Sequence, residues 1–172
     1  MGGAADGVKT ALAGAVDGGA APASRWLRWR PPRIAQGLTV AALTAHALVW
    51  GVDAPWGRSL PAGLVLIAVG LGWTLWAVGC FRAARTPIRP SDGPRRLVDH
   101  GPFRFGRNPM YLGIATAMLG LGVALGVPSM ALAAGGFAAV MQRVHIPHEE
   151  RQLRRAFGGW YSDYAASVRR WL

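Results

Sequence analysis

The sequence predicts an all-α membrane protein with about four transmembrane helices and a cytosolic or interfacial C-terminal helix. Three observations lead there. Hydrophobic residues make up 52% of the 172-residue chain and charged residues only 16%, too apolar a balance for a typical soluble domain. Four apolar runs each approach the roughly 20 residues that carry a helix across the hydrocarbon core. The net charge of +11 is concentrated at the ends of those runs rather than over a soluble face, which argues against nucleic acid as a partner.

The length suits one domain. Residues 1–24 are rich in Gly and Ala and read as a disordered tail, without the basic and apolar regions of a signal peptide. Residues 25–33 interleave Trp26 and Trp29 with four arginines and read as a basic interfacial anchor. The membrane domain, 34–172, then carries spans at about 34–52, 60–81, 109–127 and 128–146. The last two are separated only by a short Gly126-Val127-Pro128-Ser129 turn and form a helical hairpin. Gly120, Gly122, Gly126, Gly135 and Gly136 are expected to let these two helices approach closely.

Four spans put both termini, the 82–108 loop and the segment after the fourth run on one side. That side holds 18 of the 19 basic residues, with Arg58 alone opposite, so the positive-inside rule makes it cytoplasmic. A bacterial inner or plasma membrane is the expected location. The stretch 148–172 is amphipathic: Leu153, Phe157, Trp160, Tyr164, Val168 and Trp171 share one helical face, and Gly158-Gly159 is expected to break or bend it. Cys80, the single cysteine, reads as a small buried filler and leaves no disulfide framework; no metal site is expected. His46, alone within the first span, reads as a bundle histidine with its hydrogen bonds met, and a functional reading stays open.

Two segments carry chemistry. In the first, 97–113, Asn108 suits an N-cap and Pro109 the first helical position. A helix N-terminus beside Arg107 is also a natural anion site, and Tyr111 and Gly113 stand at its mouth. The second, 143–151, holds Arg143, His145, His148 and the chain's two glutamates, Glu149 and Glu150. Acids in a first helical turn are explained by the macrodipole alone. The hairpin, however, brings this segment to the same membrane face as the first, where a polar cofactor could use the cluster.

The combination Leu97-Val98-x-x-Gly101-Pro102-Phe103-Arg104-x-x-Arg107-Asn108-Pro109-Met110-Tyr111-x-Gly113, then Glu149-Glu150, then Phe157-Gly158-x-x-Tyr161-x-x-Tyr164 resembles the isoprenylcysteine carboxyl methyltransferases and the related phospholipid methyltransferases. The resemblance covers roughly residues 60–172 and implies a membrane enzyme using S-adenosylmethionine. It implies a cofactor pocket of Leu97, Val98, His100, Gly101, Phe103, Arg107, Asn108, Pro109, Met110, Tyr111, Glu149 and Glu150. Arg143 and His145 would lie near the substrate, and Arg107, Tyr111 and His145 are the catalytic candidates. Isoprenylcysteine enzymes usually carry histidine in place of Asn108 and tyrosine in place of Phe103, which turns the expectation away from prenylated protein.

S-adenosylmethionine carries an activated methyl group, so the protein has to bind, align and exclude water. Arg107 is expected to pair with the cofactor carboxylate and Glu149 with its amino or ribose groups. Tyr111 and Phe103 would pack on adenine or shape the methyl channel. His145 and His148 are base candidates where the acceptor arrives protonated. The acceptor is expected to be a lipophilic small molecule or lipid entering from the bilayer, with membrane lipids as partners. Two other readings stay open: an NADPH-dependent membrane reductase of the sterol reductase type, and a non-enzymatic scaffold whose arginines serve anionic headgroups.

Overall fold

The computed structural model describes residues 31–51 and 57–172. The expected tail (1–24), the basic anchor up to residue 30 and position 52 at the end of the first run lie outside the described residues.

The first helix, α1 (Pro31–Trp50), starts on two prolines, whose fixed φ and missing N–H suit a first turn. Ala35, Ala42 and His46 form its buried stripe, and His46 packs on Trp50 with ring centroids 5.3 Å apart. The second, α2 (Leu60–Ala83), has Pro61 in its first turn and ends where Arg85 takes a left-handed φ of 51°. The chain then crosses a loop with two 3-10 turns, Pro90–Asp92 and Gly101–Arg104. Thr86, buried after the α2 terminus, pins this loop by accepting the N–H groups of Arg95 (2.9 Å) and Arg96 (3.3 Å) on its hydroxyl.

Next comes α3 (Pro109–Leu125), which closes on Gly126 at φ 70°. The next helix, α4 (Ser129–Val140), runs through a π turn, Met141–His145, into α5 (Ile146–Phe157). Pro147 explains the widened turn: it has no N–H to donate and its ring crowds the carbonyl one turn back. Gly158 at φ 56° breaks the run as its sequence suggests, and α6 (Gly159–Ser167) follows. The fold is all-α, with no strand among the described residues.

The largest contact joins α2 to α3, while α1 crosses back to lie on α4. The Ser129 hydroxyl donates to the Ala42 carbonyl at 2.8 Å and ties that second pair. Glycine does mediate close approach, chiefly between α2 and α3. Gly63 and Gly70 of α2 face Gly113, Ala117, Gly120 and Ala124 of α3, and a Cβ on any of these four glycines would run into the opposite backbone. Gly122 does meet Met130 across the α3–α4 turn, whereas Gly135 and Gly136 have open space around them. The seven-residue spacing within each glycine pair is two helical turns, which keeps both on one seam.

Among the described residues, α2 alone is long and apolar enough to cross a membrane, with a mean hydropathy of 2.1 over its best window. α3 is a shorter apolar helix. Leu64, Val65, Val69, Leu71, Leu75 and Trp76 of α2 are exposed, a surface that suits lipid rather than water. The expected C-terminal helix is shorter than its periodicity implies. Helix α6 stops at Ser167 and Val168 is extended (φ −123°, ψ 135°), so Val168 and Trp171 leave the helical face assigned to them.

Candidate functional site

The loop 85–108, the start of α3, the π turn, α5, α6 and the C-terminal segment gather at one end of the helical bundle. Two glutamates organise this end, and they do different things.

Glu149 takes the Tyr111 hydroxyl, which donates to its Oε1 at 2.6 Å. The two residues come from the first turns of α3 and α5, as the hairpin predicts. That length is typical of an O–H donated to a carboxylate. Burial pushes the Glu149 carboxyl up from 4.5 to about 7, against the lowering effect of the Tyr111 hydrogen bond and of Arg89. It therefore stands near half ionisation at neutral pH.

Glu150 is the hub of an ion cluster. Arg170 grips it with two bonds, Nε to Oε1 at 3.0 Å and Nη2 to Oε2 at 2.8 Å. Arg107 Nη2 lies 3.2 Å from Oε1, and Arg154 Nη2 3.8 Å from Oε2. The Glu150 and Arg107 side chains are only 8% and 11% exposed. Arg107 Nη1 also donates to the Ala165 carbonyl at 3.2 Å, while its Nε is buried without a partner. The guanidinium expected to meet a cofactor carboxylate is thus already paired within the chain.

Asn108 occupies the N-cap position but makes no side-chain cap. Its amide donates instead to the Arg170 carbonyl at 2.9 Å. The backbone beside it is also tied to the C-terminal segment: Arg107 N–H donates to Arg169 O at 2.9 Å and Asn108 N–H to Arg170 O at 3.1 Å. Pro109 is fully buried.

The other pocket residues divide by burial. Val98 and Phe103 are core residues with Ala77 and Cys80, and Met110 packs on the same cluster. Phe103 meets Phe81 edge-on at 5.2 Å. Gly101 has φ 63° and abuts Cys80 and Trp76. His100 is exposed, 3.7 Å from Asp99. On the π turn Arg143 is exposed and His145 is 4% exposed, with Nε2 buried and unpartnered. His148 lies 3.0 Å from Gln152, and burial with the nearby Arg151 and Arg155 holds its pKa below the usual histidine range.

A cavity of about 520 Å³ opens between the loop and α6, lined by Leu97, Asp99, Arg104, Trp160, Asp163, Tyr164, Ser167 and Val168. Of these, Leu97 alone belongs to the cofactor pocket that the family resemblance implies. Tyr164 closes the far wall, donating to the Phe103 carbonyl at 2.8 Å, and burial raises its phenol pKa. Its recurrence with Tyr161 in the C-terminal motif was the available signal. Nothing local in the sequence marks Asp99, Asp163 or Arg170, because the cavity the aspartates line and the Arg170–Glu150 pair arise only across the fold.

Comparison with known proteins adds an independent line. Residues 59–159, more than half of the chain, match the family model described as phospholipid methyltransferase. The chain is also 41% identical over 75 residues to protein-S-isoprenylcysteine O-methyltransferase A of Arabidopsis thaliana. That stretch covers 42% of this chain and 36% of the relative, so the chain spans well under half of that protein's length. No solved structure matches significantly.

Proposed function

Because the chain belongs to the phospholipid methyltransferase family, we propose that it transfers the methyl group of S-adenosylmethionine to a lipophilic or amphiphilic acceptor at the cytoplasmic face of a membrane. The observation that carries the reading is the meeting of the 97–111 loop with Glu149 and Glu150 at one end of the bundle, within the family match. The 18-to-1 split of basic residues supports the cytoplasmic side, and the apolar runs support four spans. Family membership favours methyl transfer over the reductase and scaffold readings.

The residues present fit the cofactor. The cavity by α6 offers an indole and a phenol for a base, and the Asp99 and Asp163 carboxylates for hydroxyl or ammonium groups. Glu149, near half ionisation, gains its charge when a cation settles nearby. When bound, S-adenosylmethionine supplies an activated methyl group, so the chain has to orient the two reactants and exclude water. Leu97 and Tyr164 would hold the nucleoside part, and Glu149 with Tyr111 would face the positive charge. His145, whose Nε2 is buried without a partner, would be the base where the acceptor arrives protonated. A carboxylate acceptor needs no such base.

The test is direct. Purified protein in lipid nanodiscs should bind S-adenosylhomocysteine and not NADPH in calorimetric titration. Labelled methyl from S-adenosylmethionine should enter a product extracted from membrane lipids. Binding of NADPH alone would move the reading to a reductase, and binding of neither would remove it.

A further inference from the structure

Arg170 acts at two ends at once. Its guanidinium grips both oxygens of Glu150, at 3.0 and 2.8 Å, and its carbonyl accepts both the backbone N–H and the side-chain amide of Asn108, at 3.1 and 2.9 Å. The residues around it extend the same connection. Arg169 O takes the N–H of Arg107, and Trp171 Nε1 donates to Gln142 of the π turn at 2.9 Å. Gly106 lets the segment lie flat, since a Cβ there would strike the Trp171 carbonyl. A non-helical strap, Val168–Leu172, thereby joins the start of α3, Glu150 of α5 and the π turn. It lies outside the residues matched by the family model.

We propose that Arg170, acting through this strap, is a positioning residue for the methyl-donor site, holding Glu150 and the start of α3 in register. The inference rests on the methyltransferase reading above. Arg107 and Glu150 form a buried pair, and Arg170 adds the two-pronged grip that sets the carboxylate's orientation. Without Arg170, Glu150 is left to Arg107 and the half-exposed Arg154, and the strap loses its side-chain hold on α5. The first turn of α3 then shifts, and with it Tyr111, which sets the position of Glu149. Arg170 touches no reacting atom; it holds the residues that do.

The experiment compares wild type, Arg170→Gln, Arg170→Lys, Glu150→Gln and the Arg170→Gln/Glu150→Gln double variant in nanodiscs. It reads S-adenosylhomocysteine affinity by calorimetry beside the thermal midpoint. Arg170→Gln should weaken affinity about tenfold, and lysine, which restores the charge but not the fork, should recover part of it. The double variant should bind no more weakly than Glu150→Gln alone, because both substitutions break one linkage. A purely structural strap would lower the thermal midpoint and leave the affinity of the folded protein unchanged. Wild-type affinity in Arg170→Gln overturns the proposal; if that variant does not fold, wild-type affinity in Arg170→Lys does so. A wild-type protein that binds no S-adenosylhomocysteine removes the methyltransferase reading and this inference with it.

Discussion

Replacing Glu149 with glutamine should remove a pH dependence that the fold imposes on its own stability. Burial lifts the carboxyl from 4.5 to about 7, so the folded chain holds this proton more tightly than the unfolded chain does. A raised carboxyl contributes stability that is complete below pH 4.5 and is lost as pH rises through about 7. At about 1.4 kcal/mol per unit, the span amounts to about 3 kcal/mol. Glutamine keeps the shape and can still accept the Tyr111 hydroxyl, but it does not titrate. Glu149→Gln should therefore match wild type near pH 4.5 and exceed it by up to about 3 kcal/mol above pH 7.5. Unfolding of both proteins in the same detergent, followed by tryptophan fluorescence from pH 4.5 to 8, measures the difference. Other titrating groups, including His148 with its lowered pKa, are common to both chains and cancel. A stability difference that stays flat across this range would refute the argument.

The same carboxylate supports two further expectations. Tyr111→Phe removes a hydrogen bond that lowers the Glu149 pKa, so the pH-dependent loss of stability should move to higher pH in the same unfolding series. S-adenosylmethionine binding at pH 7 should release about half a proton as Glu149 ionises beside a cation; calorimetry in buffers of different ionisation enthalpy reads this, and zero release refutes it. The α2–α3 seam gives the last pair. Gly113→Ala places a methyl against Thr74 and the Gly70 carbonyl and should cost at least about 1–3 kcal/mol, whereas Gly72→Ala meets open space and should gain up to about 1 kcal/mol. Thermal unfolding compares the two, and equal effects would contradict the seam.

What the sequence made legible was what local pattern determines. Apolar runs mark the helices, Gly126 and Pro128 mark the tight turn, and the resulting hairpin brings Tyr111 to Glu149. Side-chain partners chosen across the fold were not legible. Gly113 and Gly120 of α3 face α2 rather than α4, because a stripe of small residues has no mark that names its partner. Arg169, Arg170 and Trp171 continue an amphipathic period, yet the helix ends at Ser167. Their gain from binding Asn108, Glu150 and Gln142 outweighs another helical turn. The π turn is legible only in hindsight, through Pro147.

The adjacent glutamates show why a motif read as one unit divides in three dimensions. Successive helical residues point about 100° apart, so Glu149 and Glu150 cannot face the same partner. One faces α3 and holds a phenol; the other faces the strap and holds arginines. Their surroundings therefore differ. Glu149, whose hydrogen-bond donor is neutral, keeps a carboxyl that titrates near neutrality and can respond to an arriving cation. Glu150 has its charge matched by the basic residues around it and serves as a fixed point. A site that must accept a positively charged donor gains from this separation: the responsive carboxylate needs an incompletely compensated environment, and the rigid one needs the reverse.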